Sequence, residues 1–252
     1  MKLQIGQPAP NFMLPSHLDK LVTLSDLRGR NVVLAFFPRA WTPVCSGQIP
    51  SYEAEKHKFA LLDTQILGIS IDHVPSLKAW AESLGGVSYP LLSDFWPHGK
   101  IAQEYGVLRS EGYSERALFV IDKDGNLCYI DVHDIDEQPS NEDLRQVLRQ
   151  IDPGAAEREA MQTVPVKIDL PHGGIVIYCT PWCPDCKRAK TWMKSHNVPY
   201  TEVDIFATPG AEEQVREWNS GKLVTPTFDV DGVVLADFVE EAAAPVLEKY
   251  TH

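Results

Sequence analysis

No stretch of this 252-residue chain stays apolar long enough to cross a membrane: runs such as Val32 to Phe37 fall far short of the roughly 20 residues a spanning helix needs. The opening segment, Met1 to Pro10, has no apolar run of signal-peptide length, so a cytoplasmic protein with no membrane partner is expected. Basic residues are scarce, with 23 Lys and Arg against 35 Asp and Glu and a formal net charge of −12. No basic run offers phosphates a footprint, which excludes a nucleic-acid partner. Paired histidines at ligand spacing are missing too: none of the eight falls in an H-x-x-x-H or H-E-x-x-H pattern. Cysteine is sparse, five residues unevenly spaced, which in a reducing compartment argues against a disulfide framework and for catalytic or redox use. What remains is ordinary, 44% hydrophobic and 23% charged, enough for one large globular domain or two modest ones.

Two regions repeat one order of elements. In the first, Val32 to Phe37 is a continuous apolar run suited to a strand covered on both faces. Residues after Pro43 through about Leu62 read as a helix, Ile66 to Ile71 as a buried strand, and Pro75 to Leu84 as a helix. Ala117 to Ile121, the turn Asp122-Lys123-Asp124-Gly125, and Asn126 to Val132 read as a hairpin, closed by an amphipathic helix from Glu142 to Ile151. Asp152-Pro153-Gly154 is a breaker, and residues 152–172 read as a linker.

The second region runs strand Ile175 to Cys179, helix Lys187 to His196, strand Tyr200 to Ile205 and helix Ala211 to Trp218. A hairpin about Asp231-Gly232 joins Thr227 to Val230 with Val233 to Asp237, and Glu240 to Tyr250 is a last helix. This order predicts an α/β chain of two tandem thioredoxin-like domains, residues 1–151 and 173–252, each a mixed sheet flanked by helices.

The cysteines divide between these regions. Cys45 stands alone in Pro38-Arg39-Ala40-Trp41-Thr42-Pro43-Val44-Cys45, whereas Cys183-Pro184-Asp185-Cys186 is a C-x-x-C. A lone activated thiol can be oxidised once by a substrate, and a vicinal dithiol can take that oxidation away as its own disulfide. Cys45 falls where the first turn of a helix should lie, and free N–H groups there favour an anion. Thr42 can hydrogen-bond the thiolate or an oxygen under attack, and Pro38 and Pro43 stiffen the loop and can shield the sulfur. The candidate positive partners are Arg39, next in sequence, and Arg116, which opens the later strand.

C-x-x-C between a strand and a helix reads as a redox motif, with Cys183 exposed at the helix N-terminus and its pKa lowered. Trp182 before it and Lys187-Arg188 after it fit a reactive edge, while Asp185 is mildly adverse to a thiolate. Cys179, Cys183 and Cys186 also have the spacing of a radical S-adenosylmethionine cluster, and could with a histidine hold zinc. That cluster chemistry needs a much larger barrel, and packing is the simpler role for Cys179. No metal is expected. Cys128 reads as a small apolar strand residue.

Pro38-x-x-x-Thr42-x-x-Cys45, followed by Arg116-x-x-Phe119-Val120-Ile121-Asp122, resembles the signature of peroxiredoxins. The likeness extends over about residues 1–151. It includes Gly6-Gln7-Pro8-Ala9-Pro10-Asn11-Phe12 and Leu91-Leu92-Ser93-Asp94-Phe95-Trp96-Pro97-His98-Gly99, which resembles the one-cysteine alkyl hydroperoxide reductase E group. The resemblance implies that Cys45 is the peroxidatic nucleophile and becomes a sulfenic acid. It implies that Thr42 orients peroxide and thiolate, that Arg116 supplies the charge favouring the thiolate and the breaking O–O bond, and that Pro38 shields the sulfur. Gln48 stands where many relatives carry Glu. Pro50 occupies a position where some carry a resolving cysteine, and should kink the helix. This half therefore resembles a one-cysteine type that needs an outside thiol.

Tyr178-Cys179-Thr180-Pro181-Trp182-Cys183-Pro184-Asp185-Cys186 with Val224-Thr225-Pro226 makes residues 173–252 resemble a glutaredoxin, mycoredoxin or NrdH-type redoxin. That resemblance implies a cis Thr225–Pro226 bond facing the dithiol, and thiol binding by Trp182, Thr225 and Pro226. Thr180 and Leu235-Ala236-Asp237-Phe238 depart from the pattern of glutathione-binding members, which weakens glutathione as the preferred thiol.

The expected function is a thiol peroxidase with no bound cofactor, reducing hydrogen peroxide or organic hydroperoxides and recycled by Cys183 and Cys186. A low-molecular-weight thiol, glutathione or mycothiol, is the expected co-substrate, with an NADPH-dependent reductase upstream and a homodimer as the assembly. The alternatives are a peroxide sensor that passes oxidation to a partner protein and a general disulfide reductase. A single cysteine in the first half counts against the latter.

Overall fold

The computed structural model describes residues 3–162 and 169–250. The chain divides into two compact units, residues 1–164 and 165–252. In the first, a short hairpin of β1 (Met13–Pro15) and β2 (Leu21–Thr23) precedes β3 (Asn31–Phe36). Then come α1 (Pro43–Ala54), α2 (Lys56–Leu61), β4 (Thr64–Ser70), α3 (Val74–Ser83), β5 (Leu91–Ser93) and α4 (Lys100–Glu104). The hairpin β6 (Arg116–Ile121) and β7 (Leu127–His133) is followed by α5 (Asn141–Ile151) and α6 (Pro153–Gln162).

The main sheet runs β5-β4-β3-β6-β7, with β3, β4 and β5 parallel and β6 antiparallel to both its neighbours. Strand alternation sorts β3 between two cores. Val33 and Ala35 face the α1, α2, α3 and α5 side with Ile49, Tyr52, Phe59, Trp80 and Leu144. Val32, Leu34 and Phe36 face the other side with Phe12, Leu67, Ile69, Tyr105 and Phe119. All six residues of β3 are buried: the apolar run from Val32 as a doubly covered strand requires, and Asn31 with its amide donating to the Leu62 carbonyl at 3.2 Å. Gly68 in β4 permits this packing: a Cβ there would lie 2.7 Å from Leu91 Cδ2 and 3.3 Å from Phe37 Cε1.

Two expectations change here. The helix expected from Pro43 to about Leu62 passes through Pro50 and is broken later, at Glu55 (φ −103°, ψ 10°). There the Glu55 carboxylate turns inward, accepting from Asn141 Nδ2 at 2.7 Å and pairing with Arg145 Nη1 at 2.6 Å. The stretch expected to be a linker from residue 152 carries α6. Asp152-Pro153 reads as a breaker, but the same pair is a helix start: Asp152 Oδ1 accepts the N–H of Ala155 at 3.0 Å, and Pro153 is the first helical residue. Ala155 is buried in the core and Glu159 pairs with Arg149 at 2.7 Å. Residues 163–168 of the expected linker lie outside the described residues.

The second unit contains β8 (Ile175–Cys179), α7 (Pro184–Ser195), β9 (Thr201–Asp204), α8 (Ala211–Trp218), β10 (Thr227–Val230), β11 (Val233–Ala236) and α9 (Glu240–Leu247). Its sheet runs β11-β10-β8-β9, with β8 parallel to β9 and antiparallel to β10. Ile175, Ile177 and Cys179 pack against α7 and α9, while Val176 and Tyr178 pack against α8. Asp231 and Gly232 both have positive φ, 49° and 86°, as a two-residue hairpin turn demands. Both units are mixed sheets flanked by helices, as expected, and the first adds β1, β2, β5, α4 and α6 to the expected elements. No helix among the described residues is long and apolar enough to cross a membrane.

Candidate active sites

Cys45 lies on the first turn of α1 and its side chain is fully buried. The chain reaches it from β3 through the buried Pro38 and the left-handed Trp41 (φ 67°). Thr42 occupies the N-cap position and Pro43 starts the helix, a residue whose missing N–H costs nothing there. Asp72, just past β4, accepts the N–H of Ala40 at 2.8 Å and the Ser70 hydroxyl at 2.9 Å, pinning the loop.

Arg116, 2% exposed, opens β6 and directs both terminal nitrogens at the sulfur: Nη1 and Nη2 each lie 3.6 Å from Cys45 Sγ. Its remaining donors are held by the Ile135 carbonyl, 3.1 Å from Nε and 2.8 Å from Nη2, and by Gln48 Oε1. Gln48 in turn donates from Nε2 to the Tyr52 hydroxyl at 2.9 Å. Burial pushes the Tyr52 phenol up to about 12, so it remains a neutral partner. The sulfur thus faces a fixed cation and the N-terminus of a helix, an arrangement that attracts negative charge.

Of the residues expected at this site, Arg116 is against the sulfur, Pro38 is buried in the approach, and Arg39 is elsewhere. Arg39 is exposed and covers the Tyr113 ring at 4.6 Å. The Thr42 hydroxyl donates to the Arg39 carbonyl at 3.0 Å. Sequence reasoning missed Asp72, Tyr52 and the Ile135 carbonyl. Asp72 could have been suspected from its place at the carboxyl end of a buried parallel strand, where α/β sites gather; the other two carried no signal.

In the second unit Cys183 is the N-cap of α7, with Sγ accepting the N–H of Cys186 and donating to the Thr225 carbonyl, both at 3.3 Å. The Thr225–Pro226 bond is cis. Trp182 stacks on Phe206, ring centres 5.8 Å apart, and Arg188 pairs with Asp185 at 2.5 Å, offsetting the acid between the cysteines. The expectation of an exposed first cysteine with a lowered pKa is overturned. Cys183 is buried, and its thiol is raised, first by the hydrogen bond it shares with Cys186 and then by burial. Cys186 is pushed up to about 12, first by a hydrogen bond with Cys179. All five cysteines are free thiols. Cys128 is half-buried beside Asp122 and Asn126, each 3.6 Å away. Among the described residues no set of His, Cys, Asp or Glu side chains converges as a metal site.

Comparison with known proteins agrees with this division. A family model described as AhpC/TSA matches residues 5–130, half of the chain. The chain belongs to the AhpC/TSA family. A glutaredoxin model matches residues 175–235 of this peroxiredoxin. Alkyl hydroperoxide reductase E of Mycobacterium tuberculosis is 39% identical over 132 residues, which is 52% of this chain and 86% of that protein. Peroxiredoxin-2 of Bos taurus is 36% identical over 144 residues, covering 53% of this chain and 71% of its own length. Among solved structures, the mitochondrial 2-Cys peroxiredoxin of Plasmodium falciparum superposes with a TM-score of 0.52 at 28% identity, over 64% of this chain and all of the other. Mycobacterium tuberculosis AhpC gives 0.55 at 23% identity, over 61% of this chain and 96% of the other, and shows the shared fold. The peroxiredoxin is a thiol peroxidase fused to a glutaredoxin domain, and both domains are thioredoxin-like.

Proposed function

We infer that Cys45 is the peroxidatic nucleophile and that Cys183 and Cys186 return it to the reduced state. The observation that carries this reading is the pair of Arg116 nitrogens 3.6 Å from Cys45 Sγ at the start of α1. The thiolate attacks the terminal oxygen of a hydroperoxide, the O–O bond breaks, and water or an alcohol leaves while Cys45 becomes a sulfenic acid. Arg116 stabilises the charge that moves from sulfur to the departing oxygen. Thr42 exchanges the Arg39 carbonyl for the peroxide oxygen, and Pro38 keeps bulk water from the sulfur.

A thiol then condenses with the sulfenic acid and expels water. That thiol is Cys183 or a small thiol, glutathione or mycothiol. Cys183 takes over the mixed disulfide, and Cys186 displaces reduced Cys45 or the small thiol, closing the Cys183–Cys186 disulfide. Trp182, Thr225 and Pro226 form the surface against which the mixed disulfide lies. Fusion raises the effective concentration of the reductant, on the order of millimolar for a short flexible tether. An NADPH-dependent reductase upstream, a homodimer and a cytoplasmic setting complete the reading.

Cys45→Ser is the deciding variant. It should abolish peroxide consumption and leave disulfide reduction by the glutaredoxin domain intact; a variant that still consumes peroxide assigns the nucleophile elsewhere. Cys183→Ser should retain one turnover with peroxide and lose cycling. Normal cycling of that variant on glutathione or mycothiol would remove the fused domain from the catalytic path.

A further inference from the structure

Asp72 has no step in the reaction above, yet it holds the loop that carries Thr42 and Cys45. It lies just past the carboxyl end of β4. One of its oxygens, Oδ2, accepts both the Ala40 N–H at 2.8 Å and the hydroxyl of the buried Ser70 at 2.9 Å. Ser70 Oγ also accepts the Asp72 N–H at 3.2 Å, and the Ser93 hydroxyl donates to the Asp72 carbonyl at 2.7 Å. Ser70 and Ser93 are the last residues of β4 and β5, so the sheet fixes Asp72 before it meets the loop. On the loop, the Arg39–Ala40 peptide unit is held at both ends. Its N–H goes to Asp72, and its carbonyl accepts the Thr42 hydroxyl at 3.0 Å. Trp41, between Ala40 and Thr42, is left-handed at φ 67°, a strained conformation for a bulky residue. Its ring is 57% exposed, so packing does little to keep it there.

A peptide unit is planar, so fixing its N–H also aims its carbonyl. The Arg39 carbonyl is where Thr42 Oγ1 rests, and Asp72 fixes the other end of that unit. We propose that Asp72 is a positioning residue for peroxide reduction, clamping the Arg39–Ala40 peptide so that the Thr42 hydroxyl is held ready for the peroxide. The inference rests on the reading of Thr42 given above. When the hydroxyl leaves the Arg39 carbonyl for a peroxide oxygen, the N–H end stays anchored, and the same acceptor waits when the product departs. Arg116 is held separately, by the Ile135 carbonyl and Gln48, so the cation at the sulfur does not depend on this clamp. The role needs an acceptor and not a charge. Both hydrogen bonds to the carboxylate end on a single oxygen, and the amide oxygen of asparagine can accept both.

The test measures kcat/KM for hydrogen peroxide on the full chain in Asp72→Ala, Asp72→Asn, Thr42→Val and the double variant Asp72→Ala/Thr42→Val. Asp72→Ala and Thr42→Val should each lower it by about tenfold to a hundredfold, the scale of a misplaced reacting group. Asp72→Asn should stay within about threefold of the unaltered chain. The double variant should stay within about threefold of Thr42→Val alone, because residues acting through one contact do not add. Losses that multiply in the double variant mean that Asp72 works without Thr42, and overturn the proposal. An Asp72→Asn variant as slow as Asp72→Ala also overturns it, by putting the role in the charge. If Thr42→Val keeps the full rate, the reading of Thr42 fails and the clamp with it; if only Asp72→Ala keeps it, the clamp fails alone. Should Asp72→Ala not fold, Ser70→Ala reads the same clamp by freeing the carboxylate from its brace. It should slow the unaltered chain by at least about threefold and leave Thr42→Val unchanged. An equal loss in both backgrounds, or none in either, contradicts the proposal.

Discussion

The two thiol sites share a scaffold and differ in what surrounds the sulfur. Each lies where a buried strand hands over to a helix, Cys45 on the first turn of α1 and Cys183 at the N-cap of α7. Cys45 meets the two terminal nitrogens of a buried arginine, whereas Cys183 meets a carbonyl, a backbone N–H and a second thiol. The helix terminus is therefore a common background. The partner brought in from elsewhere distinguishes the two: a fixed cation at Cys45, neutral groups at Cys183.

The supports differ in the same sense. The helix bearing Cys45 ends on Glu55 and Arg145, both nearly inaccessible, whose side chains are 1% and 3% exposed, while α7 pairs Asp185 with Arg188 at the surface. Removing one partner of a buried pair costs about 3–5 kcal/mol where it strands the other charge, and here Glu55 keeps Lys58 at 2.6 Å. Arg145→Met should therefore lower the stability of the peroxiredoxin domain by up to about 3 kcal/mol, read by chemical denaturation, and Arg188→Met should change the second domain by less than about 1 kcal/mol. Equal losses would show that the buried pair is not what anchors α1.

Arg116→Gln tests the contrast at the sulfur itself. Loss of a preorganised charged donor should lower kcat/KM for peroxide by about a hundredfold or more, with disulfide reduction by the second domain unchanged. A variant that retains the rate would place the activating charge elsewhere.

The domains should also fail at opposite ends of the pH range. Burial pushes the Glu55 carboxyl up, but Arg145, Lys58 and Asn141 outweigh it and hold it below the ordinary value. A depressed carboxyl contributes stability that is present above its unfolded pKa and lost as pH falls through the folded one. Cys186 has the reverse sign. Its raised thiol contributes stability that is present below the ordinary thiol pKa, about 8.5, and lost as pH rises toward about 12. Melting should show the first domain weakening in acid and the reduced second domain weakening in alkali. Disulfide formation should abolish the alkaline loss; if it persists in the oxidised protein, its cause is not the dithiol.

The smallest effect is expected at Tyr52→Phe. This removes one neutral hydrogen bond to Gln48, worth about 1 kcal/mol, and leaves Arg116 still held by Ile135. Peroxide turnover should fall by less than about tenfold. A loss as large as that of Arg116→Gln would make the tyrosine part of the charge-bearing machinery.

Much of this comparison could be read along the chain. Val32 to Phe37, Ile66 to Ile71 and Ile175 to Cys179 are apolar runs that admit little but buried strands, and the two Asp-Gly turns fall where expected. Thr42-Pro43 is a good helix start and was legible. Asp152-Pro153 is equally good and was misread, because capping residues and turn residues are the same and only the packing of Ala155 tells them apart. The exposure of Cys183 was misjudged for a related reason. Whether a sulfur at a helix N-terminus is exposed depends on what packs over it, and the Thr225 carbonyl that Cys183 meets comes from a loop far along the chain.

By itself, then, the sequence determined the longer strands and helices and their order, the division into two redox regions, and which cysteine is single and which are paired. These follow from local periodicity and spacing. Only the tertiary structure decided what each sulfur touches. Arg116 is 71 residues from Cys45 and Thr225 is 42 from Cys183, and no local pattern encodes such a meeting. Hydrogen-bond and charge interactions act over a few ångströms, so they are fixed only when sheet register and core packing bring distant side chains to one point.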